Sequence, residues 1–375
     1  MNITSDKAPP PSGSNPERSA SRARRVAKEV AAAAKVPGMS IAIASPEGVL
    51  YAGAVGYADL TERRPASVHD QYPWFSMTKI ATATTAVRLH SEGKLELDAP
   101  IGTYLSGYQP DPRHGHPTTR HLLTHTAGIG NPMPIRWVRP EGGPEDPDLI
   151  GRIVAKHGAP KRDVGAGAAY SNIGYLLAGR VIEAATGRSV QDSVRDAVLE
   201  PLGMHHTSFD YQPEAPRSTG YVRLHRALVP ALRWALPDGL VGDRVARHTA
   251  LQPFLVSGAA YGGLVGTATD AALLAAAHVA SHSDDHPVLD QGDIEMMHTI
   301  GASGKRFDHG LGWFRKPADS GRTPAFVEHY GTGVGYWQAM RIYPDARLAM
   351  VAMTNTTFKW GFDHLFTQLK KLPWQ

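Results

Sequence analysis

The run Trp74-Phe75-Ser76-Met77-Thr78-Lys79 sets a hydroxyl and an amine three residues apart. On a helix that starts at Ser76 the two side chains share one face. A serine hydroxyl is a weak nucleophile until a neighbour takes its proton, and an amine within hydrogen-bond reach can do so. A helix start also favours negative charge developing beside it. The chemistry such a pair supports is attack on a carbonyl carbon with formation of a covalent acyl-enzyme. A helix cap followed by a surface lysine is spelled the same way, so the pair gains meaning only from other segments.

Two segments supply that meaning. Tyr170-Ser171-Asn172 directly precedes the helical stretch Ile173–Ala185. A phenol beside a lysine ammonium can be held partly ionised, which makes Tyr170 a candidate general base. Asn172 can orient a substrate carbonyl or amide and hydrogen-bond the lysine. In His329-Tyr330-Gly331-Thr332-Gly333-Val334-Gly335-Tyr336 the clustered glycines let substrate approach the main chain, so that N–H groups can face an oxyanion. Taken singly, these segments also read as a packed tyrosine and a glycine-rich hairpin.

Their order along the chain, at positions 76, 170 and 329, resembles the linked Ser-x-x-Lys, Ser-Asp-Asn and Lys-Thr-Gly signature of serine β-lactamases and penicillin-binding proteins. The resemblance is to the class C β-lactamase-like branch that includes the family VIII carboxylesterases, with Tyr-x-Asn as second motif and His-x-Gly as third. Connecting segments agree with it: Gly93–Asp98, Arg120–Gly128, Pro201–Met204, Gly262-Gly263-Leu264 and Gly310–Trp313. The resemblance implies that Ser76 attacks with help from Lys79 and Tyr170, and that the backbone N–H groups of Ser76 and Thr332 hold the oxyanion. It further implies that Asn172, His329, Gly331 and Thr332 line the substrate site, with no cofactor and no metal. One departure matters. A neutral imidazole at His329 attracts a substrate carboxylate far less than the lysine of β-lactamases does.

That departure favours a carboxylesterase acting on small uncharged acyl esters. A D-amino-acid peptidase or amidase, an acyltransferase and a weak β-lactamase follow as alternatives. A silent, penicillin-sensor-like binding protein is the competing class. The apolar residues Leu228, Leu232, Trp234, Leu236 and Leu240 in Tyr221–Phe254 read either as a wall for an acyl chain or as a lid that completes the core.

The elements that must position these groups follow from patterning. Residues 1–16 read as a disordered Pro/Ser/Gly-rich tail, followed by a helix from Pro16 to Lys35. Met39–Ser45 and Val49–Tyr57 flank the turn Ser45-Pro46-Glu47-Gly48, a hairpin signature. Ser76–His90 is a helix ending at Gly93. Gly335–Ile342 and Leu348–Asn355 are strands about a Tyr343–Ala346 turn, and Gly361–Leu372 is a final helix. The expected fold is α+β, of β-lactamase/transpeptidase type. It has an antiparallel sheet built from both chain ends (17–75 and 262–375), a large all-helical insertion (76–261), and the site at their junction.

The 375 residues, 42% hydrophobic and 20% charged with net charge +4, suit a soluble globular chain of two packed lobes. No dense basic run with interleaved aromatics suggests nucleic acid as a partner. The absence of cysteine excludes disulfides and cysteine nucleophiles. No apolar run reaches the length of a membrane span. The first residues lack the apolar core of a signal peptide, so a cytoplasmic location is expected. His114-Gly115-His116, His121 with His125, His205-His206 and His282–His286 have the residue type of metal ligands. They read instead as structural or surface histidines, because His121 and His125 lack the intervening Glu of a zincin.

Overall fold

Strand β1 (Gly38–Ser45) is buried along its whole length and alternates in size. Met39, Ile41 and Ile43 pack with the apolar residues of helices α1 (Pro16–Ala34) and α11 (Asp363–Lys370). Ala42 and Ala44 face the opposite layer, which contains α9 (Ala268–Ala276). A period of two with both faces covered is what a central strand requires.

The computed structural model describes residues 16–132, 137–144, 146–279, 288–316, 326–357 and 361–374. The expected tail at 1–15 and the segment His282–His286 lie outside the described residues; Pro16 already begins α1. β1 pairs antiparallel with β2 (Gly48–Asp59) on one side, and β3 (Arg64–Pro65) extends that edge. Its other neighbour comes from the far end of the chain, β15 (Leu348–Thr354), with Ile41 opposite Ala352. Short strands β4 (Tyr72–Pro73) and β10 (Val265–Gly266) pair with each other, as do β5 (Val138–Pro140) and β9 (Phe254–Val256). β6 (Tyr221–Arg223), β8 (His248–Leu251) and β7 (Val241–Val245) form a small sheet in that order. Finally β11 (Asp308–His309), β12 (Phe314–Arg315), β13 (Val327–Gly333) and β14 (Tyr336–Tyr343) complete the main sheet, whose order is β11-β12-β13-β14-β15-β1-β2-β3. The sheet is built from both chain ends, as the patterning indicated.

The helices between the two halves are α2 (Thr78–Ser91), α3 (Thr119–Leu123), α4 (Leu149–His157), α5 (Asn172–Thr186), α6 (Val190–Val194), α7 (Val229–Ala235) and α8 (Ala259–Gly262); α10 (Gln291–His298) follows α9. The insertion is not all-helical as expected, since it carries β5 to β9. The leucine-rich composition of 221–254 masked a hairpin. Ala246 takes a left-handed backbone (φ 53°) in the turn between β7 and β8, and the flanking Val and Thr residues suit strands. Among the described residues no helix is long and apolar enough to cross a membrane.

Candidate active site

Ser76 sits in a tight 3-10 turn, Phe75–Met77, that leads into α2. The expected helix start is thus one turn of different geometry. Phe75 has φ 47°, a left-handed conformation that costs a bulky residue on the order of 1–3 kcal/mol. Packing sustains it. Its ring lies 6.1 Å from Phe254 and 6.0 Å from Tyr336 between centroids, and Trp74 N–H donates to the Leu264 carbonyl at 2.8 Å.

The third motif leans on this turn. A Cβ at Gly331 would lie 2.1 Å from the Trp74 carbonyl oxygen, and one at Gly333 would lie 2.0 Å from the Phe75 ring. Both glycines therefore let β13 approach the protein's own Ser76 turn, where the sequence pattern suggested room for substrate. Thr332 lies between them and is exposed.

Lys79 is fully buried, and Nζ meets three oxygens: Ser76 Oγ at 3.1 Å, Asn172 Oδ1 at 2.9 Å and the Tyr261 carbonyl at 2.9 Å. The rings of Tyr170, Tyr175 and Tyr261 surround it at 5.0, 5.2 and 5.2 Å. Burial drives the amine well below the usual lysine range. The rings favour the ammonium, but a cation–π contact is worth about 0.5–2 kcal/mol, while desolvating an unpaired ion costs several kcal/mol. Burial and the surrounding rings thus act on the amine in opposite directions. The Asn172 and Tyr261 oxygens can only accept, so Nζ donates to both, and it donates to Ser76 Oγ as well.

Tyr170 and Asn172 stand on either side of Ser171, whose Oγ accepts from Gly174 N–H and caps α5. Asn131 clamps the segment: its Nδ2 donates to the Tyr170 carbonyl at 3.2 Å, and its Oδ1 accepts from Asn172 N–H at 2.7 Å. His125, itself left-handed at φ 60°, stacks on Tyr170 at 4.5 Å and accepts from Ser171 N–H through Nδ1 at 3.1 Å. The Tyr170 hydroxyl shares a hydrogen bond with Ser76, and burial pushes the phenol above its ordinary range. Burial thus opposes the partly ionised phenol that the motif suggested.

His329 is buried. Nδ1 lies 2.8 Å from the Tyr330 carbonyl, which can only accept, so Nδ1 carries the proton. Nε2 is left as an acceptor with no partner among the described residues. Burial, reinforced by Lys79, lowers its pKa well below the usual histidine range. Its strand is anchored from behind, where buried Glu328 accepts from Arg341 Nη2 at 2.5 Å and from the Tyr330 hydroxyl at 2.5 Å.

The structure thus brings Ser76, Lys79, Tyr170 and Asn172 into one hydrogen-bonded cluster. His329 lies behind Tyr170 at a ring distance of 6.4 Å. Sequence reasoning missed Asn131, the Tyr261 carbonyl and the positioning role of His125. The dipeptide Asn131-Pro132 was the one available signal, as a turn marker. Among the described residues no three His, Asp or Glu side chains are grouped to hold a metal, and His121 is used in a capping box with Thr118. A cavity of about 560 Å³ behind α8, lined by Leu176, Gly179, Phe209 and Ala260, does not include Ser76, Lys79 or Tyr170.

Residues 23–369 match the Beta-lactamase family. The chain is 26% identical over 313 residues to penicillin-binding protein 4* of Bacillus subtilis, covering 82% of this chain and 65% of that relative's length. It is also 26% identical over 351 residues to esterase EstB of Burkholderia gladioli, covering 85% of this chain and 86% of the esterase. Among solved structures, D-amino acid amidase from Ochrobactrum anthropi superposes with a TM-score of 0.74 at 22% identity, over 95% of this chain and 98% of the amidase. That likeness is one of fold. With a family match that spans nearly its whole length, the chain belongs to the Beta-lactamase family of serine hydrolases.

Proposed function

We propose that this chain hydrolyses small uncharged acyl esters through an acyl-enzyme on Ser76. The observation that carries the reading is the buried Lys79, held by Asn172 and Tyr261 and hydrogen-bonded to Ser76, with burial driving its pKa down. Ser76 Oγ attacks the ester carbonyl while its proton passes to Lys79 Nζ. The backbone N–H groups of Ser76 and Thr332 receive the oxyanion. Tyr170 gives its hydroxyl proton to the departing alkoxide and is reprotonated from Lys79. Water then enters by the reverse route, and the ester C–O bond of the acyl-enzyme breaks to restore the serine.

Two features support an ester without a carboxylate: His329 is neutral and buried, and it offers no cation where a lysine would bind one. Similarity to esterase EstB agrees with this.

The test is intact-mass and burst kinetics with a short-chain p-nitrophenyl ester, on wild type and Ser76→Ala. A burst, an acyl adduct and turnover that all vanish in the variant are expected. A lasting adduct without turnover would mark a silent sensor, and equal activity in both proteins would remove Ser76 from the mechanism. Comparing acetyl ester, amino-acid amide and penicillin in the same assay ranks the substrate classes.

A further inference from the structure

The small sheet β6-β8-β7 is anchored at its base and exposed to solvent at its tip. Tyr221 and Leu240 are fully buried, and the Tyr221 hydroxyl accepts from Leu60 N–H at 2.7 Å. Leu251 packs close to Gly335, so the base of this unit abuts the β13–β14 turn that follows Thr332. Between β6 and β7 the chain rises into a 3-10 turn, Arg226–Leu228, and α7. The run Arg226-Ala-Leu-Val-Pro-Ala-Leu-Arg-Trp-Ala235 is apolar apart from two arginines and contains no acid. Yet none of its residues is buried. Leu228 is 57% and Trp234 78% exposed, the two largest values among the exposed large hydrophobic residues. The core-lid reading therefore fails for these two side chains, although Leu240 does join the core.

A helix that is apolar on several sides and buried on none calls for a covering surface. Charge selects which one. Residues 221–251 carry five arginines (223, 226, 233, 244 and 247) against Asp238 and Asp243. Arg223, Arg244 and Arg247 share the wall of one open groove of about 500 Å³ with Leu224 and His225. Arg244 is fixed there by donating to the Leu224 carbonyl at 3.0 Å. A two-fold contact with a second copy would set guanidinium against guanidinium. A polyanion without an apolar phase would leave Leu228 and Trp234 in water. A surface that presents phosphates above hydrocarbon satisfies both sets at once: indole and leucine at the headgroup boundary, guanidiniums on the phosphates.

We propose that this unit docks the protein on the surface of an anionic phospholipid membrane, with Leu228 and Trp234 inserted at the interface and the Arg223, Arg244 and Arg247 groove on lipid phosphates. The test is cosedimentation of the full chain with phosphatidylcholine vesicles, with and without phosphatidylglycerol, at low and high salt. Binding to the anionic vesicles alone is expected, weakening as salt rises. Serine at 228 and 234 together (Leu228→Ser, Trp234→Ser) should cut partitioning at least tenfold, and each Arg→Ser change in the groove about fivefold. Turnover of a water-soluble ester and the thermal melt should stay as in wild type, because these side chains are outside the core and the site. Failure to bind anionic vesicles at low salt overturns the proposal, as does equal binding to pure phosphatidylcholine or binding that the substitutions leave unchanged. A dimer that the 228/234 variant dissociates, without vesicle binding, would assign the face to a second copy. Loss of binding to inorganic phosphate alone would reduce the groove to an anion site.

Discussion

Lys79 Nζ donates to the main-chain carbonyl of Tyr261 at 2.9 Å, so one of its restraints is backbone and survives any side-chain change at 261. The other restraint, Asn172, comes from a different helix. The amine is thereby held at the meeting point of α2, α5 and α8, the last of which is also tied to α2 by Thr82 Oγ1 donating to the Ala260 carbonyl at 2.7 Å.

Acylation should follow the neutral amine. Burial holds Lys79 well below 10.5, so kcat/KM for an uncharged ester should rise with pH and reach its plateau well before that value. Lys79→Met should cut acyl-adduct formation by about 10²–10⁴-fold while the protein stays folded, since the replacement is apolar and similar in length. A rate that titrates only near 10.5 would place the proton acceptor elsewhere.

Asn131→Ala removes both hydrogen bonds that clamp the Tyr170–Asn172 segment. Leaving those backbone groups unpaired should cost about 1–3 kcal/mol in a denaturant titration. Displacing Tyr170 and Asn172 should lower kcat by up to ~10²-fold. KM should change little, and wild-type kcat in the variant would refute the clamp.

Gly331→Ala tests the contact between the third motif and the nucleophile turn. The added methyl would meet the Trp74 carbonyl at 2.1 Å, and backbone cannot rotate away as a side chain does. A loss of about 1–3 kcal/mol in stability and a fall in acylation rate larger than that of an Ala substitution at exposed Thr332 are expected from burst kinetics on both variants.

Acid should destabilise the fold through its buried histidines. Burial lowers His309, which lies 4.7 Å from the His125 ring, to about 4. Between pH 6.5 and that value the unfolded chain takes up a proton that the folded chain refuses, so stability falls as pH falls. One such residue accounts for about 3 kcal/mol over the window. Urea titrations from pH 7 to 4 should show a shallower decline for His309→Phe than for wild type, and identical slopes would contradict the assignment.

The candidate site was the most legible part of the sequence, because Ser76, Lys79, Tyr170 and Asn172 stand in short motifs and the fold brings them together. The central hairpin and the terminal sheet strands were legible through period-two patterning and turn residues. Three things were not. The left-handed Phe75 is imposed by Phe254, Tyr336 and Gly333 from distant segments, and no local preference signals it. The downward shift of Lys79 and the upward shift of Tyr170 follow from burial, which spacing cannot reveal. The strands within 221–256 were hidden by leucines that read as helical; those leucines belong to the exposed α7 and to the loops beside it.

Strand β1 pairs through eight positions with β2, its neighbour in sequence, and on its other side with β15, far along the chain. During synthesis at ~5–20 residues per second, the β1–β2 hairpin leaves the ribosome with one long edge bare, and its partner β15 follows only after ~15–60 seconds more. Until then the N-terminal third is an unpaired sheet edge. The enzyme should therefore depend on holdase chaperones during translation, and a ribosome stalled anywhere before residue 348 should display a nascent chain that proteases cut freely.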